Sequence, residues 1–254
     1  MVNNFPYTID NKRYHTLTYF YQHKFGCKIA KVSLNANFSC PNIDGTKSYG
    51  GCIFCSKSGS GDFAGDVNDS LMMQFIKGKK LMQNKWPNAK FIAYFQARTN
   101  TYADVDTLEK YFEPFINNKD CVGLAIATRS DSISDSCLDY LESISKRCYL
   151  QVELGLQSSK KETLKLINRG ETVEEFETMV NKLRARNINV VIHIINGLPY
   201  ETDNDMLDTV KYLNKLDIQG IKIHMLHILK DTPLEIMYKN HPFKVQADSQ
   251  IHAG

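Results

Sequence analysis

Three cysteines, Cys40, Cys52 and Cys55, lie close together in a glycine-rich stretch near the start of the chain. A structural zinc site is usually closed by four nitrogen or sulfur ligands. A cubane iron–sulfur cluster has four irons instead, so three thiolates leave one iron open to bind a substrate or a cofactor. Because no fourth cysteine lies nearby, the spacing favours an iron–sulfur cluster that takes part in chemistry.

The alternative is a zinc site that is completed by a distant histidine such as His15 or His23. Zinc sites usually carry paired C-x2-C motifs, which this stretch lacks. The remaining cysteines are expected to be small apolar residues of the interior rather than ligands; they are Cys27, Cys121, Cys137 and Cys148.

Six apolar, β-branched runs predict the strands that position this loop; they span Ile29–Ala36, Phe91–Phe95, Cys121–Ala127, Tyr149–Leu156, Val190–Ile195 and Gly220–Ile228. Helical spacing fills the segments between them, at Leu71, Phe75 and Leu81, at Leu108, Phe112 and Phe115, at Cys137, Leu141 and Ile144, at Phe176, Val180 and Leu183, and at Met206, Val210 and Leu213. This alternation implies parallel strands, so the alternatives are an open doubly wound sheet and a barrel or part-barrel. In either fold, chemistry gathers where the C-terminal ends of the strands meet their loops.

The chain is expected to form one domain, because it contains no low-complexity tract and no apparent interdomain linker. The predicted core spans residues 29–240, after an aromatic and basic extension at 1–28 and before a short, poorly ordered tail at 241–254.

Two helix starts carry capping signals. Thr172 and Glu175 match a capping box, and Asp203 stands where an N-cap is expected.

Composition and charge bound the class of protein. A chain of 254 residues with 43% hydrophobic and 23% charged residues is not a disordered one. No apolar run approaches the roughly 18 residues of a membrane span, and the N-terminus lacks the order of a signal peptide, so we expect a cytoplasmic protein. The net charge is +3, but the first 60 residues hold seven Lys or Arg against two Asp. This suits a phosphate-rich partner, although solvated surfaces often have the same composition.

The spacing C-x11-C-x2-C, with Phe54 before its last cysteine, resembles radical S-adenosylmethionine (SAM) enzymes, whose commonest spacing is C-x3-C-x2-C. The longer first gap, with CPNIDGT at 40–46, GGCIFC at 50–55 and GSGDFAG at 59–65, is similar to the YhcC/YtqA-like group, relatives of the radical SAM domain of the Elongator catalytic subunit. Similar matches to the superfamily's fourth and fifth strands are VELGLQS at 152–158, NRG at 168–170 and HIINGLP at 193–199. The resemblance covers roughly residues 13–240 and implies an α/β fold, a partial (β/α)6 TIM-like barrel of parallel strands.

The resemblance also implies a [4Fe-4S] cluster on Cys40, Cys52 and Cys55, with SAM on the open iron, and reductive cleavage of SAM to a 5′-deoxyadenosyl radical. It singles out no catalytic side chain. Seven further residues are expected at the SAM site; they are Phe54, Gln96, Thr128, Glu153, Gln157, Arg169 and His193.

The roles of these residues follow from the resemblance, each beside a structural alternative. Phe54 would lie near the adenine or pack the loop, and Gln157 would hydrogen-bond the ribose. Arg169 would pair with the methionine carboxylate, for which a planar guanidinium is well shaped. Glu153 and His193 could instead be buried structural groups. The superfamily's Gly-Gly-Glu after the second strand is absent, and Gln96 stands in its place.

At the end of the third strand, Thr128, Arg129 and Asp131 are expected at the same site. An ion pair between Arg129 and Asp131 that holds the loop is the favoured interpretation of those two residues.

Relatives with this set of motifs include the radical domain of Elongator, which acts on wobble uridines of tRNA. We therefore expect a tRNA-modifying activity of transferase or lyase type, with an electron donor of the flavodoxin or ferredoxin kind and no membrane partner. The aromatic extension could stack an unpaired base or could belong to the core; it contains Tyr7, Tyr14, Tyr19, Phe20 and Tyr21. The alternatives are a radical SAM enzyme acting on a small metabolite or peptide, and a non-catalytic, zinc-binding RNA protein.

Overall fold

The computed structural model describes Phe5 and residues 11–245, and its centre is one parallel sheet. The strands are β1 (Ile29–Leu34), β2 (Lys90–Phe95), β3 (Cys121–Thr128), β4 (Tyr149–Gln157), β5 (Asn189–Asn196) and β6 (Gly220–Met225). The helices are α1 (Leu17–Phe25), α2 (Leu71–Lys85), α3 (Val105–Ile116), α4 (Asp135–Ser145), α5 (Lys161–Leu166), α6 (Val173–Ala185), α7 (Asp203–Leu213) and α8 (Pro233–Asn240). A short 3-10 turn, Ser130–Ser132, follows β3.

The strands lie side by side in the order in which they occur in the chain, and every neighbouring pair is parallel. The sheet curls into a half-barrel. It does not close, because β1 and β6 are edge strands that do not pair with each other. The predicted partial (β/α)6 barrel is therefore confirmed. All six strands end at the same rim, which brings their following loops together.

The main core lies between the outer face of the sheet and the helices. Phe112, Leu141 and Phe176 are fully buried on this face, as their helical spacing predicts. The helix predicted from Leu71, Phe75 and Leu81 is present, but the side chain of Leu81 is 67% exposed. Leu81 follows Phe75 by six residues, about 240° around the helix, whereas Met82, one residue later, packs against the core. A Cβ at Gly78 of α2 would stand 2.5 Å from a methyl of Val32, so the helix approaches β1 through that glycine.

The first helix packs across the end of the sheet opposite the rim. Tyr21 is buried in a cluster with Ile29, Ile92 and Tyr94, and its hydroxyl donates to Gln151 of β4. The aromatic residues of the N-terminal segment therefore divide, because Tyr21 belongs to the core while Tyr14 is 65% exposed. Tyr7 and residues 246–254 lie outside the described residues, so the structure carries no test of the expected tail.

Several boundaries differ from the sequence-based expectation. The capping box of Thr172 and Glu175 is confirmed, but α7 is capped by Thr202, and Asp203 is its first helical residue. Strand β6 ends at Met225 rather than at Ile228, because its partner β5 ends at Asn196, which pairs with Met225. Helices α1, α5 and α8 are short segments that the periodicity did not reveal. No helix in the described part of the chain is long and apolar enough to cross a membrane.

Candidate functional site

A cavity of about 280 Å³ opens at the rim where the strands end. Its walls come from the cysteine loop after β1, from β2 to β6, and from the loop between α5 and α6. All ten residues predicted for the site line it; they are Cys40, Cys52, Phe54, Cys55, Gln96, Thr128, Glu153, Gln157, Arg169 and His193.

The cysteine loop is held in place by the loop between α5 and α6. Asn42 donates its side-chain amide to the carbonyls of Asn168 at 2.6 Å and Arg169 at 2.9 Å. Asn168 in turn donates to the carbonyl of Gly51 at 2.8 Å. Gly170 has a φ of +65°, and a Cβ there would stand 2.7 Å from Asn42 Oδ1, so only glycine fits without a shift. The two loops form one rigid wall.

Positive and polar groups surround the thiol of Cys52. Asn42 Nδ2 lies 3.5 Å and Arg169 Nη1 4.0 Å from its Sγ. A hydrogen bond from the Cys55 thiol and the charges of Arg169 and Arg129 lower the pKa of Cys52 to about 5, although burial opposes the shift. The same hydrogen bond and burial raise the pKa of Cys55. One thiolate is therefore available at neutral pH, and a thiolate is the form that binds metal.

The donor set fits an iron–sulfur cluster. Within the described ranges, no three His, Cys, Asp or Glu side chains are arranged to hold a single metal ion. A cluster does not require that arrangement, because each thiolate binds a separate iron. Three thiols on one cavity wall, with N–H donors directed at Cys52, match a group of bridged irons whose sulfurs accept hydrogen bonds.

The end of β4 carries a strained residue. Gln157 has a φ of +73° at an irregularity in the pairing with β5, which is costly for a residue other than glycine. Its side-chain Oε1 is buried and has no hydrogen-bond partner among the described residues. Two residues earlier, a Cβ at Gly155 would stand 2.5 Å from Gln157 Nε2. The strand therefore presents an unpaired acceptor to the cavity.

Arg169 already has a carboxylate partner within the chain. Its Nη2 lies 2.8 Å from Glu171 Oε2 and donates to the carbonyl of Gly155 at 2.6 Å, while its Nε is buried without a partner in the described structure. Glu171 is buried, and its carboxylate is also 3.9 Å from Arg129. The predicted pair of Arg129 and Asp131 is confirmed, with both guanidinium–carboxylate bonds at 2.8 Å or less.

Deeper in the barrel, Glu153 forms a buried polar network. Its carboxylate accepts from Lys31, from Gln151 at 2.7 Å and from His193 at 2.6 Å. Burial alone would raise the pKa of Glu153, but the hydrogen bond from His193 and the charge of Lys31 lower it well below its usual value. Burial lowers the pKa of His193. Both side chains thus have structural partners, whichever contact they make with a ligand.

The remaining predicted residues have local partners as well. Gln96 donates to the carbonyl of Ser60 at 3.0 Å. Thr128 shares a hydrogen bond of 2.6 Å with the hydroxyl of Thr101. Phe54 is half-buried and packs against an apolar cluster that includes Leu164, Ile195 and Leu226.

Sequence reasoning missed Asn42 and Glu171, and it also missed Lys31, Tyr94 and Lys222. Asn42 and Glu171 act across more than 40 residues of sequence, where no local pattern marks a contact. The signal for Lys31 and Lys222 is weak but visible. Each is a charged residue within an apolar strand, and a buried charge needs a partner.

A family model described as the radical SAM superfamily matches residues 48–213. The YtqA protein of Bacillus subtilis is 50% identical over 237 residues, which are 93% of this chain and 74% of YtqA. The YhcC protein of Escherichia coli is 35% identical over 208 residues, 82% of this chain and 66% of YhcC.

Two further similar proteins are a solved structure and a named enzyme, both from Methanocaldococcus infernus. The solved structure of Elp3 from Methanocaldococcus infernus superposes with a TM-score of 0.62 at 19% identity, over 87% of this chain and 51% of that one. The chain thus spans about half the length of that structure. A protein named tRNA uridine(34) acetyltransferase, also from Methanocaldococcus infernus, is 30% identical over 127 residues, 49% of this chain and 23% of its own length.

Proposed function

This chain belongs to the radical SAM superfamily, and we propose that it holds a [4Fe-4S] cluster on Cys40, Cys52 and Cys55 and cleaves SAM reductively. The observation that carries the proposal is the meeting of these three cysteines with Gln157 and Arg169 around one cavity. The residues of this cavity come from distant sequence segments; Cys52 and Arg169, for example, are 117 residues apart.

The cluster and SAM supply the radical chemistry when they are bound, so the chain itself must bind, orient and exclude water. Asn42 and Arg169 donate N–H groups toward Cys52 Sγ, which stabilises negative charge on the sulfur. The free Oε1 of Gln157 would accept a ribose hydroxyl of SAM. Phe54 would pack near the adenine, and Gln96 would accept from the methionine amino group. Thr128 lines the same cavity.

Arg169 would hold the carboxylate of SAM. Its Nε is buried without a hydrogen bond to a described residue, and its Nη2 is shared between Glu171 and Gly155. The free Nε–H is the donor that a ligand carboxylate would satisfy. Glu171, which also lies 3.9 Å from Arg129, helps to hold the guanidinium in place.

We propose tRNA as the substrate, with a wobble uridine as the target of a transferase- or lyase-type reaction. The match to a tRNA uridine(34) acetyltransferase supports it. A second cavity, of about 410 Å³, is lined by Lys47, Lys161 and Lys165 together with Glu171 and Glu174, and Lys161 forms an exposed pair with Glu174. Lysines beside a catalytic rim provide contacts for phosphates. An electron donor of flavodoxin or ferredoxin type completes the system.

Nucleoside mass spectrometry of tRNA tests the substrate proposal. We expect tRNA from a strain that lacks this protein to lose one modified wobble uridine and to accumulate its unmodified precursor. Re-expression of the wild-type chain restores the modified nucleoside, whereas the Cys52→Ala variant does not. An unchanged nucleoside profile in the deletion strain would remove tRNA as the substrate and leave SAM cleavage intact.

A further inference from the structure

A series of hydrogen bonds runs from Glu153, inside the barrel, through His193 to His224 near the rim. His193 Nε2 lies 2.6 Å from Glu153 Oε2, and His193 Nδ1 lies 3.2 Å from His224 Nε2. His193 is on β5 and His224 is on β6, at the pairing position of Ile195. Both imidazoles line the cavity. The chain of contacts therefore ends in the space where a substrate would bind.

The direction of these hydrogen bonds is set by Glu153. Its carboxylate is held ionised by Lys31 and Gln151, so it accepts from His193 Nε2–H. A neutral imidazole has one N–H, which leaves His193 Nδ1 as an acceptor. His224 Nε2–H must then donate to it. The second ring nitrogen of His224, Nδ1, is consequently unprotonated.

Burial of His193 and His224 favours the neutral form of both imidazoles. Burial and the neighbouring His193 and Lys222 lower the pKa of His224 to about 4, although Glu153 opposes the shift and His227 adds to it. His224 has no hydrogen bond to a described residue other than the one to His193. Its Nδ1 is thus a fixed acceptor that cannot also donate at neutral pH.

A donor on the same strand lines the same cavity. Lys222 precedes His224 by two residues on the inner face of β6, and its Nζ lies 3.3 Å from Tyr94 Oη and 3.9 Å from Glu153 Oε2. The side chain of Lys222 is 41% exposed, so its ammonium group retains N–H donors for a ligand. The inner face of β6 therefore offers one acceptor and one donor in succession.

Resting on the proposed function, we propose that His224 and Lys222 recognise the Watson–Crick edge of the target uracil. His224 Nδ1 accepts from N3–H, and Lys222 Nζ donates to a neighbouring carbonyl. Cytosine presents a lone pair at N3, which would face the lone pair of Nδ1 and leave both acceptors unpaired. Such a mismatch lowers affinity by about 10- to 100-fold. Glu153 and His193 are positioning residues, because they act through the tautomer of His224.

The test compares three anticodon stem–loop RNAs that differ at the wobble base alone, which is uridine, cytidine or N3-methyluridine. Their dissociation constants are measured with the anaerobically reconstituted full chain in the presence of SAM. We expect the uridine RNA to bind at least tenfold more tightly than the other two. In the His224→Ala variant this preference disappears while SAM affinity is unchanged. The His241→Ala variant, altered at an exposed histidine beyond α8, keeps the preference.

Several results would overturn the inference. Equal binding of the three RNAs by the wild-type chain removes base recognition but leaves tRNA as a partner, whereas no binding of any RNA removes both. A loss of SAM affinity in His224→Ala assigns the residue to the cofactor instead. Nitrogen-15 NMR of the histidines in the full chain requires no variant. A proton on Nε2 of His224 supports the inference, and a proton on Nδ1 contradicts it.

Discussion

The Nη1 of Arg169 lies 4.0 Å from the Sγ of Cys52, although the two residues are 117 positions apart in the sequence. This contact joins the loop between α5 and α6 to the cysteine loop, and the hydrogen bonds of Asn42 to the same loop reinforce it. The guanidinium would thus contact both a cluster ligand, Cys52, and the carboxylate of SAM that the proposed function assigns to it. Its removal should affect both.

The Arg169→Met variant is expected to bind SAM about 10- to 100-fold more weakly, because a hydrogen bond to a charged group contributes about 1.5–3 kcal/mol. Isothermal titration of the reconstituted protein measures this loss. The Arg147→Met variant is the control, since Arg147 forms an exposed pair with Glu113 far from the cavity. Equal SAM affinity in Arg169→Met and wild type would show that Arg169 only fixes the loop.

The Gln157→Gly variant should weaken SAM binding without lowering the free energy of unfolding. Glycine adopts the φ of +73° without strain, so the variant is expected to unfold at the same free energy or up to about 1 kcal/mol higher. It also loses the unpaired Oε1, and SAM affinity should fall about tenfold. Asn187→Gly, at an exposed turn with a φ of +57°, relieves similar strain without touching the site. Unchanged SAM affinity in Gln157→Gly would count against the ribose contact.

Glu153→Gln tests the buried network. Removing the carboxylate leaves Lys31 without its counter-ion, which is expected to lower the free energy of unfolding by about 3–5 kcal/mol. Urea denaturation measures the loss. The double variant Lys31→Met, Glu153→Gln should recover part of it, because the charge of Lys31 is removed together with its partner, while that of Lys222 remains near position 153.

The matched control for this network is Glu142→Gln, which breaks an exposed contact with Lys146 and should change stability by less than about 1 kcal/mol. If the double variant is no more stable than Glu153→Gln, the coupling between Lys31 and Glu153 is absent.

The depressed pKa of His224 makes stability depend on pH. Since the unfolded chain has a histidine pKa near 6.5 and the folded one near 4, the unfolded state binds more protons between these values. Stability is therefore fully present above about pH 6.5 and is lost as the pH falls toward 4. The melting temperature of His224→Gln should fall less between pH 6.5 and 4.5 than that of the wild type. Parallel pH profiles would contradict a buried, neutral His224.

The sequence predicts those features of this fold that depend on local patterns. Phe112 and Phe176 are spaced for a buried helix face, and Arg129 and Asp131 pair because they are two residues apart. The partners of Arg169 could not be found in the same way. Glu171 is near in sequence, but its role depends on the approach of Arg129 from another loop, and Asn42 reaches the same place from the cysteine loop.

The end of β6 could not be predicted from local sequence for the same reason. The apolar run after β6 continues to Ile228, but the strand stops at Met225, where β5 offers no further partner. The proposed role of His224 likewise depends on its contact with His193 on the neighbouring strand β5. Nothing in the run around it shows that His193 and Glu153 will fix its tautomer, since that requires the register of three parallel strands.

The release of 5′-deoxyadenosine tests the central claim most directly. The chain is reconstituted with iron and sulfide without oxygen, reduced with dithionite and supplied with SAM, and the product is quantified by mass spectrometry. We expect about four irons per wild-type chain and steady release of 5′-deoxyadenosine. Cys40→Ala, Cys52→Ala and Cys55→Ala should each lose both, whereas Cys121→Ala should keep both. A wild-type chain that holds its iron but releases no 5′-deoxyadenosine, or a triple cysteine variant that still releases it, would contradict the account.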